Sequence, residues 1–273
     1  MLQTTLSEDE LQNAEIMTFK IINSEYIEST SLSGNLYFGC AEYYAYQEST
    51  GNKGQGDKDE GLYARVRNNN LSYIKEQESL HGIDLVKIEN GKFIDLKLKS
   101  VINMPVYCFY SINVSDPIVK YFDESGETPK IRYRTYKFTI PKVVFQDFSA
   151  ESFGIMKFLN HTDLYLRIKK SLKAKGCERI IKTRIKYVNR ERREWFCPEN
   201  HPAELFYKDN SFSYQKEGRI VVADSKISFI NEKYSSKKYI ALNIGNVAEI
   251  VERNAIKIGD IRVEIPRQRI IEI

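Results

Sequence analysis

"IDLVKIENGKFIDLKLKS", residues 83–100, carries the clearest secondary-structure signal in the chain. Apolar and polar residues alternate on both sides of Asn90-Gly91, and an Asn-Gly pair between two alternating segments is typical of a tight β-hairpin. We therefore predict a type I′ turn at Asn90-Gly91. The alternation also predicts which apolar side chains of the two strands face the core: Val86, Ile88, Ile94, Leu96 and Leu98.

The composition favours a protein with an extensive core and no membrane span. Hydrophobic residues make up 42% of the 273 residues, and aromatic residues make up 12%. No segment approaches the roughly 18 consecutive apolar residues of a membrane-spanning helix, and the first residues are polar and acidic rather than basic and apolar. The four cysteines are far apart and form no C-x-x-C pair. We expect a cytoplasmic protein without a membrane partner and without a bound metal.

Strand signals outnumber helix signals along the chain. Hydrophobic periodicity and turn residues predict strands at 16–22, 35–46, 104–112, 130–140, 179–188, 204–222 and 237–244, with a hairpin at 255–265. They predict helices at 24–33, 149–160 and 163–176. This order indicates an α+β fold: a single domain over 1–273 with a mixed, mostly antiparallel and β-rich architecture and a few helices. We expect 1–15 to be flexible and the polar, glycine-rich 47–61 to form a loop or lid.

The helix predicted at 163–176 has the most regular pattern of the three. Leu164, Ile168 and Leu172 form one apolar stripe, Asp163 is placed to cap the first turn, and Gly176 is placed to end the helix.

A second segment, "SFSYQKEGRIVV" (211–222), draws attention to a possible site. As a strand it places Gln215, Glu217 and Arg219 on one face, opposite an apolar face. Such a polar row borders either a pocket or solvent. The simpler alternative is a surface edge with a neighbouring Glu–Arg pair.

Other polar motifs give weaker signals. Asp57, Asp59 and Glu60 lie within "GDKDEG", but they lack the spacing of a calcium-binding loop, so a turn whose carboxylates bind backbone amides is the expected structure. The glycine motifs of dinucleotide-binding and P-loop proteins are absent from the sequence.

Positive charge is concentrated in one segment. Twelve lysine and arginine residues lie between Arg167 and Arg193. Such a run is often only a solvated surface, and the alternative is a contact surface for nucleic acid or an acidic partner.

Three stretches carry a resemblance to known proteins: "GNLYFGCAEYY" (34–44), "GDKDEG" (56–61) and "LFYKDNSFSYQKEGR" (205–219). Together they resemble a group of uncharacterised bacterial and phage proteins that is distantly similar to the ADP-ribosyltransferase fold. That fold also begins strand–helix–strand and carries a late glutamate in a Q/E-x-E context.

The resemblance implies an enzyme that uses NAD in conflict between bacteria and phage, such as a toxin or an anti-phage defence protein. Glu217 would be the catalytic glutamate, and Gln215 would act with it. The cofactor-binding residues would be Tyr43, Tyr44, Lys20 and Arg219. A carboxylate that binds a ribose hydroxyl can stabilise the oxocarbenium-like state formed as nicotinamide leaves.

The alternative hypothesis is a non-catalytic interaction protein that binds a nucleotide or a protein partner. The first predicted strand carries Lys20 where the transferase family has an arginine or histidine. This difference favours a defence antagonist or a sensor over an enzyme.

Overall fold

The computed structural model describes residues 15–49, 57–116, 118–125, 131–140, 144, 153–190, 193–224, 230–231, 238–252 and 261–271. The first half of the chain contains β1 (Glu15–Asn23), α1 (Ile27–Ser33), β2 (Asn35–Phe38), α2 (Ala41–Ser49), β3 (Leu62–Arg67), α3 (Leu71–His81), β4 (Leu85–Asn90), β5 (Phe93–Leu98), α4 (Lys99–Ile102), β6 (Val106–Asn113), β7 (Val119–Ser125) and β8 (Ile131–Ile140). The second half contains β9 (Phe153–Phe158), α5 (His161–Ala174), β10 (Ile180–Arg184), β11 (Lys186–Val188), β12 (Trp195–Phe196), β13 (Tyr207–Asp209), β14 (Glu217–Val222), β15 (Ile230–Asn231), β16 (Lys238–Asn243), β17 (Ala248–Glu252) and β18 (Ile261–Ile271).

The predicted class, a mixed α+β fold rich in antiparallel strands, is confirmed. The widest sheet of the described residues has six strands in the order β10-β14-β6-β1-β9-β17, and every neighbouring pair is antiparallel. A four-stranded sheet has the order β12-β3-β5-β4. Two three-stranded sheets, β15-β16-β2 and β18-β8-β7, and the parallel pair β11-β13 complete the set. None of the described helices is long and apolar enough to span a membrane.

The helix α5 covers one face of the six-stranded sheet. Its predicted stripe is confirmed, because Leu164, Ile168 and Leu172 are all buried in one core cluster. The predicted cap is wrong: the side chain of Asn160 accepts a hydrogen bond from the backbone N–H of Asp163. An asparagine with extended backbone just before a helix takes this role more readily than a residue inside the first turn.

The hairpin at 83–100 is confirmed, but its register differs from the predicted one. Asn90 pairs with Phe93, so Gly91 and Lys92 form the two-residue loop. Gly91 has a φ of 62° and Lys92 has no positive φ, which corresponds to a type II′ turn rather than the predicted type I′.

In either register a two-residue loop pairs the even-numbered residues of β4 with odd-numbered residues of β5, so Val86 and Ile88 lie on the face opposite Ile94, Leu96 and Leu98. Val86 pairs with Lys97 and Ile88 pairs with Asp95. Ile88 is 43% exposed, so the prediction that it faces the core is wrong. Both faces of β5 are buried over residues 95–98, and the face that carries Val86 and Ile88 also carries Asp95 and Lys97, so these two charges lie in the interior.

Three other predicted elements are wrong: the helix at 149–160, the strand at 35–46 and the strand at 204–222. Residues 153–158 form the buried strand β9 rather than a helix. The prediction failed because a short apolar run has the same composition in a buried strand and in a buried helix. The strand predicted at 35–46 ends at Phe38, and the alanine- and glutamate-containing sequence after it forms α2.

The segment 211–222 is not one strand, because a 3₁₀ helix covers Asn210–Gln215 and β14 begins at Glu217. Lys216 between them has a φ of 45°. Residues 255–260 of the predicted hairpin, residues 1–14 of the predicted flexible start and residues 50–56 of the predicted loop lie outside the described residues.

Candidate functional site

The strand β14 brings two buried charges into the interior of the six-stranded sheet. It lies between β10 and β6, and all of its residues are buried. Glu217 and Arg219 point to the same face because side chains alternate along a strand. The Arg219 Nε donates to the Glu217 Oε1 at 2.6 Å.

Glu60 supplies the second carboxylate around Arg219. It belongs to the turn at 57–60, which precedes β3 and holds Glu60 through a hydrogen bond from its backbone N–H to the Asp57 carbonyl. The two terminal nitrogens of Arg219 donate to the two Glu60 oxygens at 2.6 Å each, and Nη1 also donates to the Leu205 carbonyl. Two parallel bonds of this kind are the strongest geometry for an arginine–carboxylate pair.

Lys208, the middle residue of β13, completes the group of charges. Its ammonium donates to the Gln215 Oε1 at 2.8 Å and to the Glu217 Oε2 at 3.0 Å, and it lies 3.6 Å from the Glu60 Oε1. We call Glu60, Lys208, Gln215, Glu217 and Arg219 the Glu217 cluster. Its two carboxylates and two cations balance in charge.

The cations hold Glu217 in its ionised form. Burial alone would raise the pKa of this carboxyl, but the charges of Arg219 and Lys208 outweigh burial and hold the pKa well below its usual range. In the same way the carboxylates Glu217 and Glu60 outweigh burial and raise the pKa of the Lys208 ammonium. Glu217 and Lys208 therefore remain charged at physiological pH.

A cavity of about 430 Å³ opens beside the Glu217 cluster. Four of the six residues predicted from the sequence to form the site line it: Lys20, Tyr44, Gln215 and Glu217. The volume lies within the range of about 300–1,000 Å³ that is usual for small-molecule sites.

Two of the residues that line this cavity come from different secondary-structure elements. Lys20 extends from β1, donates to the Cys108 carbonyl, and lies 4.3 Å from the centroid of the Tyr107 ring. Burial lowers the pKa of its ammonium. Tyr44 comes from α2 and donates to the Val106 carbonyl at 3.4 Å.

The other two predicted residues lie elsewhere. Arg219 is 1% exposed and stands behind Glu217, so it positions the carboxylate instead of contacting a ligand. Tyr43 is not among the lining residues, although its ring lies 5.8 Å from that of Tyr44.

Sequence reasoning missed several members of the site. Glu60 and Lys208 line the cavity, as do the aromatic side chains of Tyr26, Phe109 and Tyr110. Glu60 is the glutamate of "GDKDEG", and Lys208 is the lysine of "LFYKDNSFSYQKEGR". The motifs that carry the resemblance therefore contained the signal, and only the pairing between them was missing.

Gly218 allows the sheet to pack beside the two charges. A methyl group at this position would lie 2.5 Å from Cε2 and 2.8 Å from Cζ of Phe109, which is 3% exposed. We expect Gly218→Ala to lower the free energy of unfolding by about 1–3 kcal/mol, as overpacking typically does. Urea unfolding measures this loss. In a protein that already carries Phe109→Leu, Gly218→Ala should lower the free energy of unfolding by less than it does in the wild type. An equal loss in the two backgrounds would contradict the proposed clash.

A second group of buried charges lies on the four-stranded sheet. The Arg65 side chain donates from Nε to the Asp95 Oδ1 at 2.6 Å and from Nη2 to the Asp59 Oδ1 at 2.8 Å. Lys97 donates to the carbonyls of Lys58 and Glu60. These contacts fix the turn at 57–60 between the two groups of charges.

The turn matches its expected form in part. The Asp57 Oδ1 accepts a hydrogen bond from the Asp59 N–H at 2.8 Å, whereas Asp59 and Glu60 bind arginine side chains instead of backbone amides. Within the described residues, no three histidine, cysteine, aspartate or glutamate side chains form a group that could hold a metal ion.

Asp57 predicts a pH dependence of stability. Burial, helped by the charge of Glu60, raises the pKa of its carboxyl from 3.8 to about 7. The other charged groups that act electrostatically on Asp57 come from several elements: Asp59, Lys97, Arg190 and Lys208. Because the folded pKa lies above the unfolded one, the folded protein retains the proton longer, and stability falls as the pH rises between about 4 and about 7.

Asp57→Asn removes this titration while its side-chain oxygen can still accept the Asp59 N–H. We expect the variant to gain stability over the wild type across this pH range, by about 4 kcal/mol at most, because one pKa unit corresponds to about 1.4 kcal/mol. Urea unfolding at several pH values measures the difference. Glu89→Gln, a change of an exposed carboxylate on β4, is the control. A difference that stays constant with pH would show that Asp57 titrates normally.

The basic segment 167–193 does not form one exposed surface. Arg190 is 1% exposed, with its guanidinium 4.3 Å from the Trp195 ring centroid, so the prediction of exposure fails there. Lys182 and Arg184 form ion pairs with Glu15 and Asp116. The exposed lysines Lys170, Lys173 and Lys175 lie on and just after α5.

The chain was compared with protein-family models, with curated proteins and with solved structures, and none of them matches it.

Proposed function

We propose that the cavity beside Glu217 binds the nicotinamide–ribose part of NAD and that the chain is an ADP-ribosyltransferase-like protein of bacterial–phage conflict. One observation carries the proposal: Lys20, Tyr44, Gln215 and Glu217, chosen from the sequence alone, line one cavity. The target that would receive ADP-ribose is a nucleotide, a nucleic acid or a protein.

The chemistry of the wall suits a ribose and a flat ring. Each carboxylate oxygen of Glu217 accepts one bond from a cation and keeps further acceptor capacity for a ribose hydroxyl. The aromatic rings of Tyr44 and Tyr26 on the same wall offer faces for the nicotinamide. The charged lining residues are two lysines and three glutamates, Lys20 and Lys208 against Glu25, Glu60 and Glu217. Because negative charges outnumber positive ones, this lining favours binding of the ribose and the nicotinamide ring over binding of the diphosphate.

A second function, binding without catalysis, is favoured by the balanced charge of the Glu217 cluster. Arg219 and Lys208 hold both oxygens of Glu217, so much of the negative charge that would stabilise an oxocarbenium-like state is already neutralised. In this case the same cavity serves a sensor or a defence antagonist that binds a nucleotide.

A transfer assay and a binding assay separate the two functions. Wild-type protein is incubated with NAD labelled in its adenylate part and with cell extract, and protein, nucleic acid and free nucleotides are then examined for label; NAD binding to the purified protein is measured by calorimetry. Transfer to any of these classes of molecule, dependent on Glu217, supports the enzyme. Saturable binding of NAD without transfer supports the binding protein, and the absence of both contradicts the NAD proposal.

A further inference from the structure

A groove of about 980 Å³ lies on the other side of the turn at 57–60. Asp57 and Asp59 line this groove, whereas Glu60 of the same turn lines the cavity beside Glu217. The turn is therefore a wall between two separate openings. The proposed function does not use the groove.

The base of the groove has a carboxyl oxygen without a partner. Asp57 is 2% exposed, and its Oδ2 has no hydrogen-bond partner within the described part of the chain. Arg65 does not serve as a partner because Asp59 and Asp95 hold it. Arg190, the other guanidinium that acts on Asp57, has no hydrogen-bond partner for Nε and Nη2 within the described residues. A buried polar atom without a partner loses a hydrogen bond that a ligand can restore. Since burial also raises the pKa of this carboxyl to about 7, it can donate or accept near neutral pH.

The rim of the groove combines cations, amides and aromatic rings. Arg67 and Lys92 are exposed there, and so are the side-chain amides of Asn68 and Asn69. Phe93 and Phe212 contribute half-buried rings. Cations bind phosphate, aromatic rings stack on bases, and a buried carboxyl pairs with the N–H or ring nitrogen of a base edge.

We propose that this groove is a second binding site, for a nucleotide, with the base directed to Asp57 Oδ2 and the phosphate at Arg67 and Lys92. The nucleotide is either free or part of a single strand, since both present the same base and phosphate. The site is independent of the NAD proposal, because it shares no lining residue with the cavity.

The test is a titration of the full chain with the four 5′-mononucleotides, a ten-nucleotide single-stranded DNA, the corresponding nucleosides and inorganic phosphate, followed by calorimetry. We expect at least one mononucleotide to bind more tightly than its nucleoside and than phosphate. Arg67→Ala combined with Lys92→Ala should weaken binding about tenfold through the loss of two phosphate contacts. Lys170→Ala with Lys173→Ala removes two exposed charges on α5 and should leave binding unchanged.

Two further variants complete the test: Asp57→Asn tests the contact to the base, and Tyr26→Ala is a control that changes the other cavity. Asp57→Asn should change the order of preference among the four bases. The carboxyl can donate or accept a hydrogen bond by gaining or losing a proton, and an amide cannot. Tyr26→Ala alters only the cavity and should leave mononucleotide binding intact.

Tighter binding of the oligonucleotide with the same dependence on Arg67 and Lys92 identifies a single strand as the source, and equal binding identifies a free nucleotide. The proposal is overturned by absence of binding, by phosphate binding as tightly as every nucleotide, or by binding that the Arg67 and Lys92 changes do not affect.

Discussion

Arg219→Met is expected to lower the free energy of unfolding by about 3–5 kcal/mol, the usual result of removing one partner from a buried ion pair. The substitution leaves both oxygens of Glu60, the Glu217 Oε1 and the Leu205 carbonyl without their donor. A loss of this size is a large fraction of the about 5–15 kcal/mol that stabilises a typical domain. Urea unfolding, followed by circular dichroism, measures it.

Two further variants separate the charge effect from the loss of side-chain volume. Glu60→Gln combined with Arg219→Met removes one of the stranded carboxylates, and we expect it to recover part of the lost stability. Arg193→Met changes an exposed arginine whose Nε donates to the Asn189 carbonyl, and we expect almost no loss. If Arg219→Met lowers stability no more than Arg193→Met, the Glu217 cluster does not exist as described.

If the chain is the transferase proposed above, Glu217→Gln is expected to reduce the rate of ADP-ribose transfer by about 100-fold or more, as the loss of one preorganised electrostatic contact typically does. The sequence alone predicts that this nearly isosteric change preserves the fold. The structure adds a loss of stability, because the change leaves the Glu217 cluster with one carboxylate and two cations in a buried place.

A charge-balanced variant distinguishes these two effects. Glu217→Gln with Lys208→Gln keeps the ion pair between Glu60 and Arg219 and removes the excess positive charge. We expect it to recover stability relative to Glu217→Gln while the transfer rate stays low. Recovery of the rate together with stability would show that Glu217 acts only through the fold, and the catalytic role would then be withdrawn.

The sequence predicts individual strands and candidate residues better than it predicts their register. The Asn-Gly signal at 90–91 placed the hairpin correctly, but cross-strand pairing put Gly91 and Lys92 in the loop. Sequence alternation alone cannot distinguish these registers, because both give an apolar face. The register that forms also pairs Arg65 with Asp95, and this contact depends on β3, which comes from another part of the chain.

The candidate site was predictable where its residues are adjacent in sequence. Gln215, Glu217 and Arg219 are close together along the chain, so their association was visible. Glu60 lies 159 positions before Arg219, and no local pattern links them. The row also led to a wrong expectation about Gln215, which lies in a 3₁₀ helix and reaches Glu217 through the Lys208 ammonium. Tertiary contacts, not strand alternation, assemble the site.

Binding of NAD tests the central claim most directly. Calorimetry compares the wild type with Tyr26→Ala, which removes an aromatic ring that lines the cavity and is 52% exposed, and with the groove variant Arg67→Ala/Lys92→Ala. We predict saturable binding to the wild type and binding weakened about tenfold by Tyr26→Ala, in line with the loss of one stacking contact. The groove variant should retain the dependence on Tyr26. Absence of saturable binding, or binding that Tyr26→Ala leaves unchanged, would contradict the account.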